Sequence, residues 1–184
     1  MEKHLTIGET APDFTSPTAY DKTLKLSKAL TAKHTVLLFS RYYGCSLCQL
    51  DIHDLSKHYD LITAQDAKAM VVLQSEPETL REGSPENPFP FPIICDPQCS
   101  LYKEWGIAPA SSKAELASPG TIAKIAKAKV AGYSHGKYEG EELQLPALFI
   151  LAPDRRVEYA KYAKNLADLP DAAGIAKLLA ALEK

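Results

Sequence analysis

The order of apolar segments predicts an α/β fold with a mixed central sheet flanked by helices, and three observations carry it. Thr35-Val36-Leu37-Leu38-Phe39-Ser40 is a continuous apolar run, as in a strand buried on both faces of a sheet. A helix-like stretch follows, and then a second such run, Ala69-Met70-Val71-Val72-Leu73-Gln74. Near the C-terminus, Ala147 to Leu151 and Val157 to Tyr162 flank the turn Pro153-Asp154-Arg155-Arg156, which reads as a β-hairpin.

The other elements follow in chain order. Ile7 to Tyr20 is irregular, with Pro12 and Pro17 among turn-formers. Thr23-Leu24-Lys25-Leu26 alternates like a short strand, and Ser27 is the expected N-cap of a helical turn. Beyond the first buried run, Leu47, Leu50, Leu55, Tyr59 and Ile62 mark one helical face. Six prolines between Pro77 and Pro97 predict a loop and then the strand Phe91-Pro92-Ile93-Ile94-Cys95, whose early prolines suit a strand entry or a sheet edge. Ser100 to Trp105 reads as one or two helical turns with Leu101, Tyr102 and Trp105 inward, ended by Gly106.

Residues 108–144 form an insertion rich in Ala, Lys, Ser and Gly. Within it Ile122, Ile125 and Val130 put an apolar stripe on a basic helix. Lys124, Lys127, Lys129 and Lys137 read as a solvated face, with a patch for an anionic partner as the sharper alternative. Ile175, Leu178, Leu179 and Leu182 follow the i, i+3, i+4, i+7 rule, so an amphipathic helix closes the chain.

At 184 residues the chain is expected to be a single domain, 1–184, large enough to bury a core without staples. The 21 Lys and Arg against 23 Asp and Glu leave a net charge of -2, which gives no global attraction to nucleic acid. Only four of the basic residues are Arg, too few for extensive forked phosphate recognition. No apolar run approaches the roughly 20 residues of a membrane span. Met1 to Thr6 has no apolar stretch of a secretory signal, so the expected compartment is the cytoplasm.

Four cysteines are too few for a disulfide scaffold, but they fall in two close pairs, Cys45/Cys48 and Cys95/Cys99. Cys45-Ser46-Leu47-Cys48 stands where a buried strand gives way to a helix. Free N–H groups and the positive end of the helix dipole stabilise a thiolate there, and only the thiolate attacks. The i, i+3 spacing sets the second sulfur on the same face. A redox pair, a metal site and two ordinary packed residues all fit Cys45 and Cys48. Cys95 and Cys99 read mainly as packing, with a resolving role or a four-thiolate zinc site as rivals. Neither His53 nor His58, at a spacing of five, shares a face with the other; both read as surface or partly buried, and His4, His34 and His135 suggest no cluster.

These residues resemble a known family. Ile7-Gly8-Glu9-Thr10-Ala11-Pro12-Asp13-Phe14 is similar to the G-x-x-A-P-D-F opening of the alkyl hydroperoxide reductase/thiol-specific antioxidant group. Arg41 to Cys48 resembles the R-x-x-G-C-x-x-C version found in peroxiredoxin-like proteins. Cys95-Asp96-Pro97 through Tyr102 and Gly106 resembles the D-P-x-x-x-x-Y-x-x-x-G segment of the group. The resemblance implies a thioredoxin-like fold with an N-terminal extension and the 108–144 insertion placed before a hairpin that opens on a cis Pro146 packed on the CxxC. Typical peroxiredoxins carry P-x-x-x-T-x-x-C; aligning Cys48 with that cysteine sets Arg41 on the Pro and Cys45 on the Thr. The thioredoxin pattern instead makes Cys45 the nucleophile and Cys48 its resolver; Cys45, nearest the open helix end, is favoured, with peroxidatic use of Cys48 and Cys45 as its local resolver as the alternative.

The expected function is thiol-dependent reduction of hydroperoxides through a Cys45–Cys48 disulfide. The alternatives are a protein disulfide reductase without peroxide preference, and a non-enzymatic structural or zinc-binding module. Arg41 is expected to tune the thiolate or bind a peroxide oxygen, and Tyr42 and Pro146 to shape the site. Cys95 and Cys99 are secondary thiols. The expected reductant is an external thiol system such as thioredoxin or glutathione, with no metal, organic cofactor, nucleic acid or membrane required. A homodimer is the assembly to test.

Overall fold

A computed structural model describes residues 4–21 and 23–183; of the opening segment Met1 to Thr6, residues 1–3 lie outside the described residues. A small antiparallel ribbon comes first, β1 (Thr15–Ser16) with β2 (Leu24–Lys25), followed by α1 (Leu26–Ala29). Ser27 does not cap α1 but lies within it; its N–H and hydroxyl donate to the Asp13 carboxylate at 3.0 and 2.7 Å. The capping oxygen therefore comes from a residue distant in sequence, which a local capping rule does not reach.

The main sheet begins with β3 (His34–Phe39). Then come α2 (Ser46–Lys57), α3 (Tyr59–Thr63), β4 (Ala67–Leu73), α4 (Pro77–Gly83) and β5 (Ile93–Cys95). The short helices α5 (Ser100–Glu104) and α6 (Lys113–Leu116) and the longer α7 (Pro119–Val130) lead to β6 (Ala147–Leu151), β7 (Val157–Tyr162) and α8 (Ala172–Leu182). The sheet order is β5-β4-β3-β6-β7. β4 runs parallel to both β3 and β5, whereas β6 is antiparallel to β3 and β7.

Side chains alternate along β3 and feed two cores. Val36 and Leu38 face Ile52, Leu55, Ile62, Ile175 and Leu179 of the helices on one side. Leu37 and Phe39 face Phe14, Tyr102 and Trp105 on the other. The N-terminal extension belongs to the second layer, because Phe14 meets Trp105 edge-on at 6.3 Å. β5 is an edge strand, and Pro92 stands just before its first residue.

Three local expectations change. The proline-rich stretch is not all loop: Pro77 starts α4, since a first-turn proline forfeits no helical hydrogen bond. The peptide bond before Pro146 is trans, as are all bonds among the described residues. The intrinsic preference of an X–Pro bond is for trans. Finally, the apolar stripe of α7 faces outward, with Ile122 68% and Val130 90% exposed. The small Ala128 and Thr121 turn inward instead, and so does Lys124, which reaches Asp51 at 2.6 Å. Lys124 is thus not part of a solvated face.

Candidate active site

The chain leaves the centre of the sheet at Phe39 and passes through residues 40–45 before α2 begins. The turn is held from both sides. Gln74 N–H donates to the Arg41 carbonyl at 2.7 Å, the Ser75 hydroxyl accepts the Tyr43 N–H at 2.8 Å, and Cys45 N–H donates to the Tyr42 carbonyl at 3.1 Å. Cys45 is the N-cap of α2 in an extended conformation (φ -75°, ψ 117°), and Cys48 stands in the first turn. Both sulfur-bearing residues are buried, and both are free thiols.

Their acidities are driven apart. The Cys45 thiol falls from 9.0 to about 6, chiefly because the Cys48 thiol donates toward its sulfur. Burial opposes this, while the Arg41 charge and the N–H groups of Cys48 and Leu47 favour the thiolate. Cys48 moves the other way: burial, then the neighbouring Cys45, push it well above the usual thiol range, with Ser40 pulling weakly against them. The geometry therefore holds one thiolate and one thiol side by side.

Arg41 is buried, with Nη1 3.7 Å from the Cys45 sulfur. Its Nη2 donates to the Tyr42 hydroxyl at 3.5 Å and to the Glu142 carbonyl. The guanidinium carbon lies 5.1 Å from the centre of the Tyr42 ring. The Arg41 Nε is buried without a hydrogen-bond acceptor. Tyr42 is fully buried, and burial keeps its phenol protonated. His135 Nδ1 sits 2.9 Å from the Gly136 carbonyl, so Nδ1 carries the proton and Nε2 accepts from the Tyr42 hydroxyl at 3.1 Å.

His135 and Glu142 were not legible as site residues, since each lies more than ninety positions from the residue it meets, and no local pattern marks them. Cys95 and Cys99 do not join the pair in any metal-binding group: among the described residues no cluster of three or more His, Cys, Asp or Glu side chains is set to hold a metal ion. Cys95 ends β5 in the core, where burial pushes its thiol up to about 12. Cys99, in a left-handed conformation (φ 54°), donates to Gln74 Oε1 at 3.0 Å, and burial raises its thiol as well. Pro146 is buried just before β6, and its carbonyl accepts the Ala163 N–H at 3.0 Å. His53 stacks on Tyr133 with ring centres 5.1 Å apart, and His58 pairs with Asp54 one turn earlier.

A mixed sheet with two thiols where its central strand gives way to a helix defines a thioredoxin-like fold. Residues 7–160 match the family model of the AhpC/TSA family, and the chain belongs to that family. It is a peroxiredoxin-like oxidoreductase. Alkyl hydroperoxide reductase E of Mycobacterium tuberculosis is 24% identical over 139 residues, which is 74% of this chain and 89% of that protein. The crystal structure of peroxidoxin BcpB from Mycobacterium tuberculosis is similar in fold, with TM-score 0.66, 16% identity, and 98% of this chain and 97% of that one covered. So is a yeast mitochondrial 1-Cys peroxiredoxin, described for its thiol-resolving mechanism via glutathione and thioredoxin systems (TM-score 0.67, 13% identity, 97% and 76% covered). Among the described residues no helix is long and apolar enough to cross a membrane.

Proposed function

We propose that the chain reduces hydroperoxides through Cys45, with Cys48 as proton donor and resolving thiol. The observation that carries this reading is the buried Cys45–Cys48 pair with Arg41 Nη1 3.7 Å from the Cys45 sulfur. The Cys45 thiolate attacks the peroxide oxygen, so an S–O bond forms as the O–O bond breaks. The departing alkoxide takes the Cys48 proton and leaves as alcohol. Cys48, now a thiolate, displaces hydroxide from the Cys45 sulfenic acid to give the Cys45–Cys48 disulfide. Two electrons from an external dithiol restore both thiols.

Arg41 stabilises the thiolate, and its free Nε donates to a peroxide oxygen. Tyr42 holds the guanidinium through its ring face and hydroxyl. Cys95 and Cys99 take no step in this scheme, and the trans Pro146 has no tuning role. A thioredoxin or glutathione system fits the reductant, by analogy with the yeast relative, and the four free thiols suit a reducing compartment such as the cytoplasm. The chain works as one domain, 1–184, with the 108–144 insertion as part of the site. A homodimer is the assembly proposed.

The test is hydrogen peroxide consumption with dithiothreitol as reductant. Wild type turns over and Cys45→Ser does not, and Cys48→Ser oxidised by hydrogen peroxide without dithiothreitol stops at a Cys45 sulfenic acid that dimedone labels. Turnover by a Cys45→Ser, Cys48→Ser protein contradicts the reading.

A further inference from the structure

Residues 133–142 have no regular secondary structure, yet nearly every one is fastened over the end of the sheet that carries the cysteines. The Ser134 carbonyl accepts from Gln49 Nε2 at 3.3 Å, His135 takes the Tyr42 hydroxyl, and Gly136 N–H donates to the Gly44 carbonyl at 2.7 Å. Tyr138 lies against His135 with ring centres 4.1 Å apart and the planes tilted by 32°. Glu139 Oε1 accepts from the Thr79 hydroxyl at 2.7 Å and the Glu76 N–H at 3.2 Å, tying the segment to α4. Glu141 N–H donates to Gln74 Oε1 at 2.6 Å, and the Glu142 carbonyl holds Arg41.

Two glycines show how close the contact is. A Cβ on Gly44 would collide with the Lys137 carbonyl, and Gly140 (φ 64°) lies where a Cβ would meet the Gln74 side chain. The segment itself is mostly exposed, whereas Cys45 beneath it is only 3% exposed. It is therefore a thin roof held mainly by polar contacts, with Tyr133 at its start as the apolar anchor. Polar tethers of this kind open locally at small cost.

We propose that residues 133–142 are the specificity element of the Cys45 site: a strap that lifts before a molecule reaches the sulfur, and excludes bulky ones while seated. A small hydroperoxide needs only a partial opening, whereas a bulky hydroperoxide or a protein dithiol needs the strap fully displaced. Its Glu142 carbonyl also fixes Arg41, so the seated strap is the state in which the thiolate is best supported. The inference rests on the proposed role of Cys45 as the reacting thiol.

The test compares labelling of the reduced full chain by iodoacetamide and by a bulky polyethylene-glycol maleimide, with mass mapping of each cysteine. Rates are normalised to the same reagents on a free cysteine peptide. The strap predicts that Cys45 discriminates against the bulky reagent more than the peptide does. Glu139→Ala and Thr79→Val remove the tether to α4 without touching Arg41 or either thiol. In each, bulky labelling of Cys45 rises about tenfold, the change expected from losing one or two hydrogen bonds. Equal discrimination by wild-type Cys45 and the peptide overturns the strap, a result that needs no variant. If the small reagent labels Cys95 or Cys99 ahead of Cys45, the assignment of Cys45 falls instead.

Discussion

Arg41 Nη1 stands 3.7 Å from the Cys45 sulfur while the same guanidinium is fixed by Tyr42 and by the Glu142 carbonyl. A charge held this way does not have to be gathered from solvent when the thiolate forms, so its stabilisation is prepaid by folding. It also means that the insertion, through Glu142, supports a residue of the thiol site.

The pH dependence of Cys45 follows. Its thiol titrates near about 6, so the thiolate is present at pH 7 and is lost as pH falls through that value. Iodoacetamide labelling of Cys45 should rise with a midpoint near 6. Arg41→Met removes the second favourable influence and should move that midpoint upward, with a lower labelling rate at pH 7 as the readout.

His34 is buried at the start of β3, with Nδ1 2.6 Å from Glu158 and Nε2 2.8 Å from Glu183. Burial alone disfavours its charge, but bonds to Glu183 and Glu158 outweigh it, and its pKa is raised above 6.5. A raised histidine contributes stability that is complete below the unfolded value and is lost as pH rises through the folded one. Thermal melts should therefore show the Tm advantage of wild type over His34→Gln shrinking as pH rises from 6.5, a comparison in which the opposite contribution of the Cys45 thiolate cancels.

Lys124 and Asp51 form an ion pair at 2.6 Å between α7 and α2. Burial raises Asp51, with Lys124 opposing it, while the carboxylate keeps 36% of its side-chain surface, so solvent screens much of the loss when the lysine is removed. Lys124→Met should destabilise the protein by about 1 kcal/mol in urea unfolding. Lys129→Met, on an exposed residue of the same helix, should change it by less than about 0.5 kcal/mol.

The sheet was legible because β3, β4 and β6 are continuous apolar runs, and the thiol pair because Cys45 and Cys48 sit where the first run meets a helix. What was hidden depends on distance in the chain. Asp13 caps α1 from fourteen residues away, and His135 meets Tyr42 across ninety-three. The outward stripe of α7 was hidden for another reason. Apolar periodicity names a face, but here the small side of the helix and the Lys124–Asp51 pair decide which face turns inward. The cis Pro146 came from resemblance alone, and the bond is trans.

The central claim is that Cys45 and Cys48 are the working pair. It is tested most directly by stoichiometric titration of the reduced protein with hydrogen peroxide, followed by mass mapping of cysteine pairs. The account predicts rapid conversion to a species lighter by about two mass units, with Cys45 joined to Cys48 and with Cys95 and Cys99 still free. Slow oxidation without stoichiometry, or a first disulfide that includes Cys95 or Cys99, would contradict it.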